Sequence, residues 1–230
     1  MPFVESIHRT NDAFMGTGLD YDILYITGES LVQRARNNAT EAFLRSRFDH
    51  LLFIDADLEF KPEDIEALYN MDAPVVCGAY PFKRMRRLED HEKYIEVEKI
   101  LGPLARKLVY PFPSTCWKDG KVIEVDNLDG ITEIDYAATG FLMVKREVFE
   151  KMRLAFPDRR HMEGLPDGNF NDRKESFAWF DPRVTGGDCP DERTYISEDY
   201  SFSRDWRDIG GKILLNPAVQ LKHHGIYGFG

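Results

Sequence analysis

Two carboxylates that lie two residues apart are the first candidates for chemistry in this sequence. Asp55 and Asp57, separated by Ala56, follow the apolar run at 51–54. Side chains two apart on a strand share a face, about 6.5–7 Å apart at the backbone. Such a pair can hold a divalent cation directly or through water, and open α/β sheets bind ligands at the carboxyl ends of their strands. The alternative is that both are solvated turn residues at the rim of the sheet.

A second acidic pair stands at the start of a predicted helix. Glu198 and Asp199 follow Ser197, a residue type that favours helix N-termini. Acids in a first turn interact favourably with the helix dipole, so capping alone could explain them. Asp199 also shares a face with Phe202 and Trp206, three and seven residues on. An inward-facing carboxylate of this kind suits a general base.

Two adjacent histidines, His223 and His224, precede Gly225 near the end of the sequence. Neutral imidazole is a common metal ligand. Adjacent residues on extended chain point to opposite sides, so at most one of the two is expected to serve a site. The alternative is an ordinary surface histidine.

A glycine turn before a helix offers a possible anion contact. Gly28, Glu29 and Ser30 lead into a helix that carries Arg34 and Arg36. A helix start of this kind lets the backbone approach a ligand closely, and arginine suits diphosphate oxygens or base edges. Alternatively, the two arginines solvate the outer face of the helix.

The elements that must position these residues alternate between strand and helix over the first eighty residues. Apolar runs predict strands at 21–27, 51–54 and 73–80. Helical periodicity begins at Ser30, and Lys61 with Pro62 begins another helix. This alternation predicts an α/β fold with a mostly parallel sheet.

After residue 80 the pattern is less regular. It contains a basic cluster at 83–87 (KRMRR) and a possible helix at 88–110. Loops are predicted at 110–117 and 157–176, and a strand-like stretch at 134–145. Helices are predicted at 146–152 and from 197, and short strands at 212–215 and 219–221.

Composition limits the possible classes of function. The 230 residues carry 30 Lys and Arg against 40 Asp and Glu, a net charge of −10, and 43% of them are hydrophobic. A single domain with a core is expected, and a disordered chain or a nucleic-acid-coating protein is excluded. Three scattered cysteines predict neither disulfides nor a zinc site. The absence of a signal peptide or spanning segment predicts a cytoplasmic protein, and no dinucleotide or P-loop motif occurs.

Five segments, in their order along the chain, resemble glycosyltransferases of the GT-A fold, close to family 2. They are Ala35-Arg36-Asn37, LLFIDADLEF, Ala138-Thr139-Gly140-Phe141, Ser197-Glu198-Asp199-Tyr200 and the final histidine. The resemblance spans roughly residues 20–225. It implies one domain with a GT-A, Rossmann-like, mostly parallel central sheet between helices and a small antiparallel acceptor-side portion. Residues 1–130 would form the nucleotide-sugar-binding half and 131–230 the acceptor and catalytic half.

The resemblance also implies roles for individual residues. It gives Asp57, with Asp55 and His223, as the metal ligands, and Asp199 as the catalytic base with Glu198 beside it. It gives Arg36, Asn37, Asp55, Ala56 and Asp57 as donor-binding residues, and the glycine turn adds Thr27, Gly28, Glu29 and Arg34. It gives the acceptor-side residues as Thr139, Gly140 and Trp179.

The implied activity is metal-dependent sugar transfer, with inversion, from a UDP-sugar or another nucleotide-diphosphate sugar. The cofactor would be Mn²⁺ or Mg²⁺, and the acceptor hydroxyl that of a glycan, protein or small molecule. A hydroxymethylated DNA base is a further possible acceptor, with 83–87, Arg159 and Arg160 as contacts. A metal-dependent phosphohydrolase or nuclease, and a non-catalytic nucleotide- or glycan-binding module, are the alternatives.

One departure from the family pattern concerns the start of the sheet. Such enzymes open with an apolar strand that forms the first wall of the nucleotide pocket. Here the chain begins at the helix that would follow it, with Phe3, Ile7 and Phe14. The sequence therefore predicts that this strand is missing, or replaced by a partner chain.

Overall fold

A computed structural model describes seven parts of the chain: residues 2–81, 113–124, 128–163, 174–186, 192–219, 221–225 and 228–229. The basic cluster at 83–87 and the possible helix at 88–110 lie outside these parts. In the described parts, no helix is long and apolar enough to cross a bilayer.

Five α-helices and fourteen strands are described. The helices are α1 (Pro2–Phe14), α2 (Val32–Arg45), α3 (Pro62–Tyr69), α4 (Arg146–Ala155) and α5 (Glu198–Asp208). The strands are β1 (His50–Ile54), β2 (Leu58–Glu59), β3 (Val75–Gly78), β4 (Pro113–Lys118), β5 (Lys121–Glu124), β6 (Thr132–Ile134), β7 (Phe141–Lys145), β8 (Arg160–Glu163), β9 (Lys174–Phe177), β10 (Arg183–Gly186), β11 (Arg193–Ile196), β12 (Ile213–Asn216), β13 (Lys222–His224) and β14 (Gly228–Phe229).

The central sheet is mixed, and the prediction of a mostly parallel sheet is wrong. Its order is β1-β7-β3-β12-β6, and β12 with β3 is the parallel pair among the described neighbours. The other three pairs are antiparallel. An apolar run shows that both faces of a strand are covered, as in parallel sheets. It does not show strand direction, and β7 is covered on both faces while running antiparallel to both neighbours.

Helices cover both faces of this sheet. Along β3 and β7, alternate side chains enter two separate apolar clusters, as the two-residue period of a strand requires. Phe43 of α2, Phe149 of α4 and Phe202 of α5 belong to the first cluster. Ile7 of α1 and Leu68 of α3 belong to the second. The fold is therefore a three-layer α/β arrangement.

The strand order brings three strand ends to one edge of the sheet. β1 and β3 run in the same direction, and β7 runs the opposite way between them. The ends of β1 and β3 therefore lie beside the beginning of β7. Asp55, just after β1, donates its backbone N–H to the carbonyl of Gly140, just before β7 (2.9 Å).

The helix predictions starting at residues 30, 61, 146 and 197 are confirmed, as is the N-terminal helix. The predicted strand at 21–27 is wrong, because this apolar stretch has no regular secondary structure. In the described parts β1 is an edge strand, and the stretch 21–27 does not pair with it or with another strand. The predicted loops at 110–117 and 157–176 partly form strands, namely β4 in the first and β8 with part of β9 in the second. The strand predicted at 219–221 lies later in the chain, at β13.

Candidate functional site

The two carboxylates that follow β1 sit on a tight turn. Leu58 donates its backbone N–H to the carbonyl of Asp55 (3.1 Å), which closes a four-residue turn around Ala56 and Asp57. The expectation that both carboxylates extend from one face of a strand is therefore wrong, because β1 ends at Ile54. The turn instead allows each carboxylate its own partners.

The C-terminal part of the chain brings one histidine to this turn. β13 pairs with β2, directly after the turn, and His224 donates its backbone N–H to the carbonyl of Asp57 (2.7 Å). The His223 Nε2 atom lies 3.5 Å from Asp57 Oδ1. The His224 Nε2 atom lies 2.9 Å from Glu59 Oε2, away from Asp57. Strand alternation therefore leaves His223 as the histidine of this site, as the sequence suggested.

A buried arginine connects the two acidic pairs. Arg36 on α2 is 9% exposed. Its guanidinium is ion-paired with Glu198 at the start of α5, and one of its nitrogens lies 3.6 Å from Asp55 Oδ1. The arginine therefore links α2 to the start of α5, where Glu198 lies 162 positions after Arg36 in the sequence. Its chemistry here is that of a counter-ion for carboxylates.

Asp199 is a desolvated carboxylate at the start of α5. Its Oδ1 atom accepts hydrogen bonds from the Ser197 hydroxyl and from the Tyr200 backbone N–H. Burial raises the pKa of this carboxyl, the hydrogen bond from Ser197 opposes the shift, and Glu198 adds to it. A raised pKa makes Asp199 a better proton acceptor than an exposed aspartate.

Burial also raises the pKa of Asp55, and the Arg36 charge opposes that shift. The nearby Asp57 charge raises the pKa further. Four carboxylates thus stand around one arginine and one histidine. An excess of negative charge that is partly removed from water favours a bound cation.

The donor-side residues before α2 and in its first turn are engaged elsewhere. Arg34 forms a two-bond ion pair with Glu29, at 2.6 and 2.7 Å. That hydrogen bond lowers the pKa of Glu29 to about 2. Thr27 and Gly28 are exposed in an irregular segment, where Gly28 has a φ of 75°. In the described structure none of these four residues contacts the aspartate turn.

Three other predicted site residues are part of the packed interior. The Asn37 side-chain oxygen accepts the backbone N–H of Phe180 (2.9 Å), which fixes the chain after β9. Trp179 is fully buried and its ring packs on Phe149, so it offers no surface to an acceptor. Thr139 is also fully buried, beside Gly140 at the site edge.

The two arginines considered as DNA contacts are paired with carboxylates. Arg159 is ion-paired with the buried Asp205 of α5, and Arg160 with Glu175 on the opposite strand of its hairpin. Arg183 is a second partner of Asp205. This pairing anchors two hairpins to α5, and it leaves less positive charge available for a polyanion.

Sequence reasoning missed Tyr80, which follows β3 at the same edge. The residue is 4% exposed, and its hydroxyl accepts the backbone N–H of Gly140 (3.0 Å). Burial, and after it the Asp55 charge, raises the pKa of the phenol well above its ordinary value. Its position directly after a strand that ends at the ligand-binding edge was the available signal.

Asp57 and His223 are the pair of residues that could hold a metal ion. Carboxylate and imidazole together suit Mn²⁺. In the parts of the chain that the structure describes, no group of three or more His, Cys, Asp or Glu is arranged to hold a metal. A cation held by Asp57 and His223 would therefore need further ligands, such as a substrate or water.

No protein-family model and no curated protein matches this chain. Among solved structures, the chain is similar to the one titled "Crystal Structure of A197 from STIV", with a TM-score of 0.50 and 17% sequence identity. The match covers 97% of this chain and 78% of that one. At this identity the similarity concerns the fold alone: a mixed α/β domain with helices on a five-stranded sheet.

Proposed function

We propose that this chain is a metal-dependent glycosyltransferase of the GT-A type. It would move a sugar from a nucleotide-diphosphate sugar to an acceptor hydroxyl. The observation that carries the proposal is the convergence of Asp57, His223, Asp55, Arg36 and the Glu198–Asp199 pair from distant parts of the chain.

The charges around the site support a cation-dependent reaction on an anionic donor. A diphosphate is itself negative, and the carboxylates of this edge would repel it. A divalent cation held between Asp57 and His223 would supply the positive charge that stabilises a leaving diphosphate. Arg36 keeps the carboxylates of Asp55 and Glu198 in place.

Asp199 is suited to the proton-transfer step. The attacking hydroxyl must lose its proton as the new glycosidic bond forms and the bond to the diphosphate breaks. Asp199 accepts that proton, because burial raises its pKa and the Ser197 hydroxyl fixes the orientation of the carboxylate. The raised pKa brings the base closer to neutral pH, where proton transfer is more efficient.

The test is a donor screen with the purified chain. A panel of nucleotide sugars is incubated with Mn²⁺, with and without candidate acceptors, and both released nucleotide and transferred sugar are measured. We expect metal-dependent release that is abolished in Asp57→Ala and His223→Ala. Asp12→Ala, which changes an exposed aspartate on α1, is the matched control and keeps full activity.

Two variants separate the roles of the carboxylates. Asp199→Asn should lose turnover and keep donor binding, measured by titration calorimetry. Full activity in Asp57→Ala would refute the proposal. Phosphate release from simple phosphate esters, without any reaction of nucleotide sugars, would indicate a phosphohydrolase. Nucleotide-sugar binding without transfer or hydrolysis would indicate a binding module.

A further inference from the structure

The first contact of Tyr80 with the site is made by its hydroxyl group. The Gly140 N–H donates to Tyr80 Oη, so the hydroxyl is fixed at the point where β3 and β7 meet. The Gly140 carbonyl in turn accepts the backbone N–H of Asp55 (2.9 Å), so Tyr80 holds the residue to which the turn after β1 is anchored. A side chain at position 140 would clash with Tyr80 and with Asp55 Oδ2, so this packing requires glycine.

The ring of the same tyrosine contacts the histidine of the site. The ring centroids of Tyr80 and His223 are 5.1 Å apart, and the rings are inclined at 81°. Edge-to-face packing of this kind restricts rotation of the imidazole.

The residue after the tyrosine determines which nitrogen of His223 carries the proton. The Pro81 carbonyl oxygen lies 2.7 Å from His223 Nδ1. A carbonyl oxygen can only accept a hydrogen bond, so Nδ1 is protonated. In the neutral ring, Nε2 then carries the lone pair, and Nε2 is the atom that faces Asp57 (3.5 Å).

We propose that Tyr80 is a positioning residue of this site, which holds Gly140, and through it the backbone of Asp55, with its hydroxyl and fixes the imidazole of His223 with its ring. The inference rests on the proposed function, because the geometry it maintains is that of the Asp57–His223 pair that would bind the cation. Groups of this kind, one contact away from the ligands, orient the ligands and affect metal affinity.

The experiment compares two substitutions with a matched control. Tyr80→Phe removes the hydroxyl alone, and Tyr80→Leu also removes the ring. Tyr69→Phe is the control, because Tyr69 packs edge-on against His50 at the same centroid distance of 5.1 Å, on an exposed part of α3. Each protein is studied without donor by Mn²⁺ titration and by ¹⁵N NMR of its histidines, with His223→Ala used to assign the signal.

We expect Tyr80→Phe to weaken Mn²⁺ binding by about 10-fold and to keep the Nδ1-protonated form of His223. Tyr80→Leu should weaken binding further and give averaged ¹⁵N shifts, which show that the ring no longer has one orientation. Tyr69→Phe should match the wild type in both measurements. The NMR spectra also show whether each variant is folded, and Tyr80→Phe is the conservative case if Tyr80→Leu does not fold.

The outcomes distinguish the two proposals. If the wild type transfers no sugar while Tyr80→Leu still changes the His223 signal, the proposed function fails and the positioning role stands. If sugar transfer occurs while both Tyr80 variants keep the wild-type Mn²⁺ affinity and His223 signal, the positioning role is overturned.

Discussion

Replacement of Gly140 by alanine tests how tightly the site edge is packed. The added Cβ would stand 2.6 Å from Tyr80 Cζ, closer still to Tyr80 Oη, and 2.8 Å from Asp55 Oδ2. Gly140 is not among the positive-φ residues, so the backbone itself accepts alanine. Because favourable carbon contacts begin near 3.5 Å, the tyrosine ring must move by about 1 Å.

The close packing at this position determines how much Gly140→Ala lowers the free energy of unfolding. Overpacking a well-filled interior costs about 1–3 kcal/mol. For a chain of this size each kcal/mol lowers the melting temperature by about 2–4 °C. Gly140→Ala should therefore melt about 2–12 °C below the wild type. Sugar transfer should fall by about 100-fold, since a shift near 1 Å in reacting geometry has an effect of this order.

Differential scanning calorimetry and the nucleotide-sugar assay measure the two effects. Gly130→Ala is the control, because its added Cβ would meet nothing within 4 Å and its φ is ordinary. Combining Gly140→Ala with Tyr80→Phe should recover part of the stability, since the closest clashing atom is removed. A Gly140→Ala chain that melts and reacts like the wild type would refute the packing argument.

Three further substitutions or conditions test the charges of the site. Because the pKa of Asp199 is raised, turnover should already fall with decreasing pH before the pH reaches the ordinary aspartate range near 4. Glu198→Gln should move this limb of the pH–rate profile to lower pH, since the Glu198 charge raises the pKa of Asp199. A profile that is flat down to about pH 4 would contradict this. Asp205→Ala should lower the free energy of unfolding in urea by about 3–5 kcal/mol, because it leaves two guanidinium groups without their buried partner. Asp208 is more exposed, so the free energy of unfolding of Asp208→Ala should stay close to that of the wild type. Arg36→Met should destabilise the chain by a similar amount, because Glu198 then stays largely shielded from water without its ion-pair partner. Combining Arg36→Met with Glu198→Gln should recover much of the lost stability. Equal losses in the single and double variants would contradict the ion pair.

The sequence predicts the local elements well where periodicity and end signals agree. The helix from Pro62 has proline in its first turn and acids at Glu63 and Asp64, and it forms as expected. The strand 73–80 is recognised from its continuous apolar character, and its core, β3, is fully buried. Both signals depend on residues a few positions apart, which is the range over which periodicity is informative.

Strand direction could not be predicted in the same way. The stretch around β7 is apolar on both faces, and such a run is compatible with a parallel or an antiparallel strand once helices cover the sheet. Its antiparallel direction is given by the pairing with β1 and β3 in the structure. The irregular stretch 21–27 failed for a related reason, because strand propensity describes side chains, while a strand also needs a neighbour for its backbone groups.

The candidate site shows the same division between local and distant information. The aspartates, the acidic pair and the histidines could be selected from their types and spacing. Their relative placement could not, because it depends on pairings such as Lys222 with Glu59, which are 163 residues apart. Tyr80 had no motif around it, and its position at the end of a predicted strand was the one signal in the sequence. Its contacts with Gly140 and His223 follow from the strand order that puts β3 beside β7.

Part of the excess of acidic residues in the chain lies at this edge of the sheet. Asp55, Glu198 and Asp199 lie near Arg36, the buried guanidinium that is ion-paired there, and Asp57 lies near His223. Burial raises the pKa of Asp55 and of Asp199. A partly buried carboxylate without a full counter-charge is destabilising, so this excess of negative charge costs stability in the chain alone. A cation bound between Asp57 and His223, as proposed above, would supply the missing positive charge, so Mn²⁺ should stabilise the wild type more than Asp57→Ala.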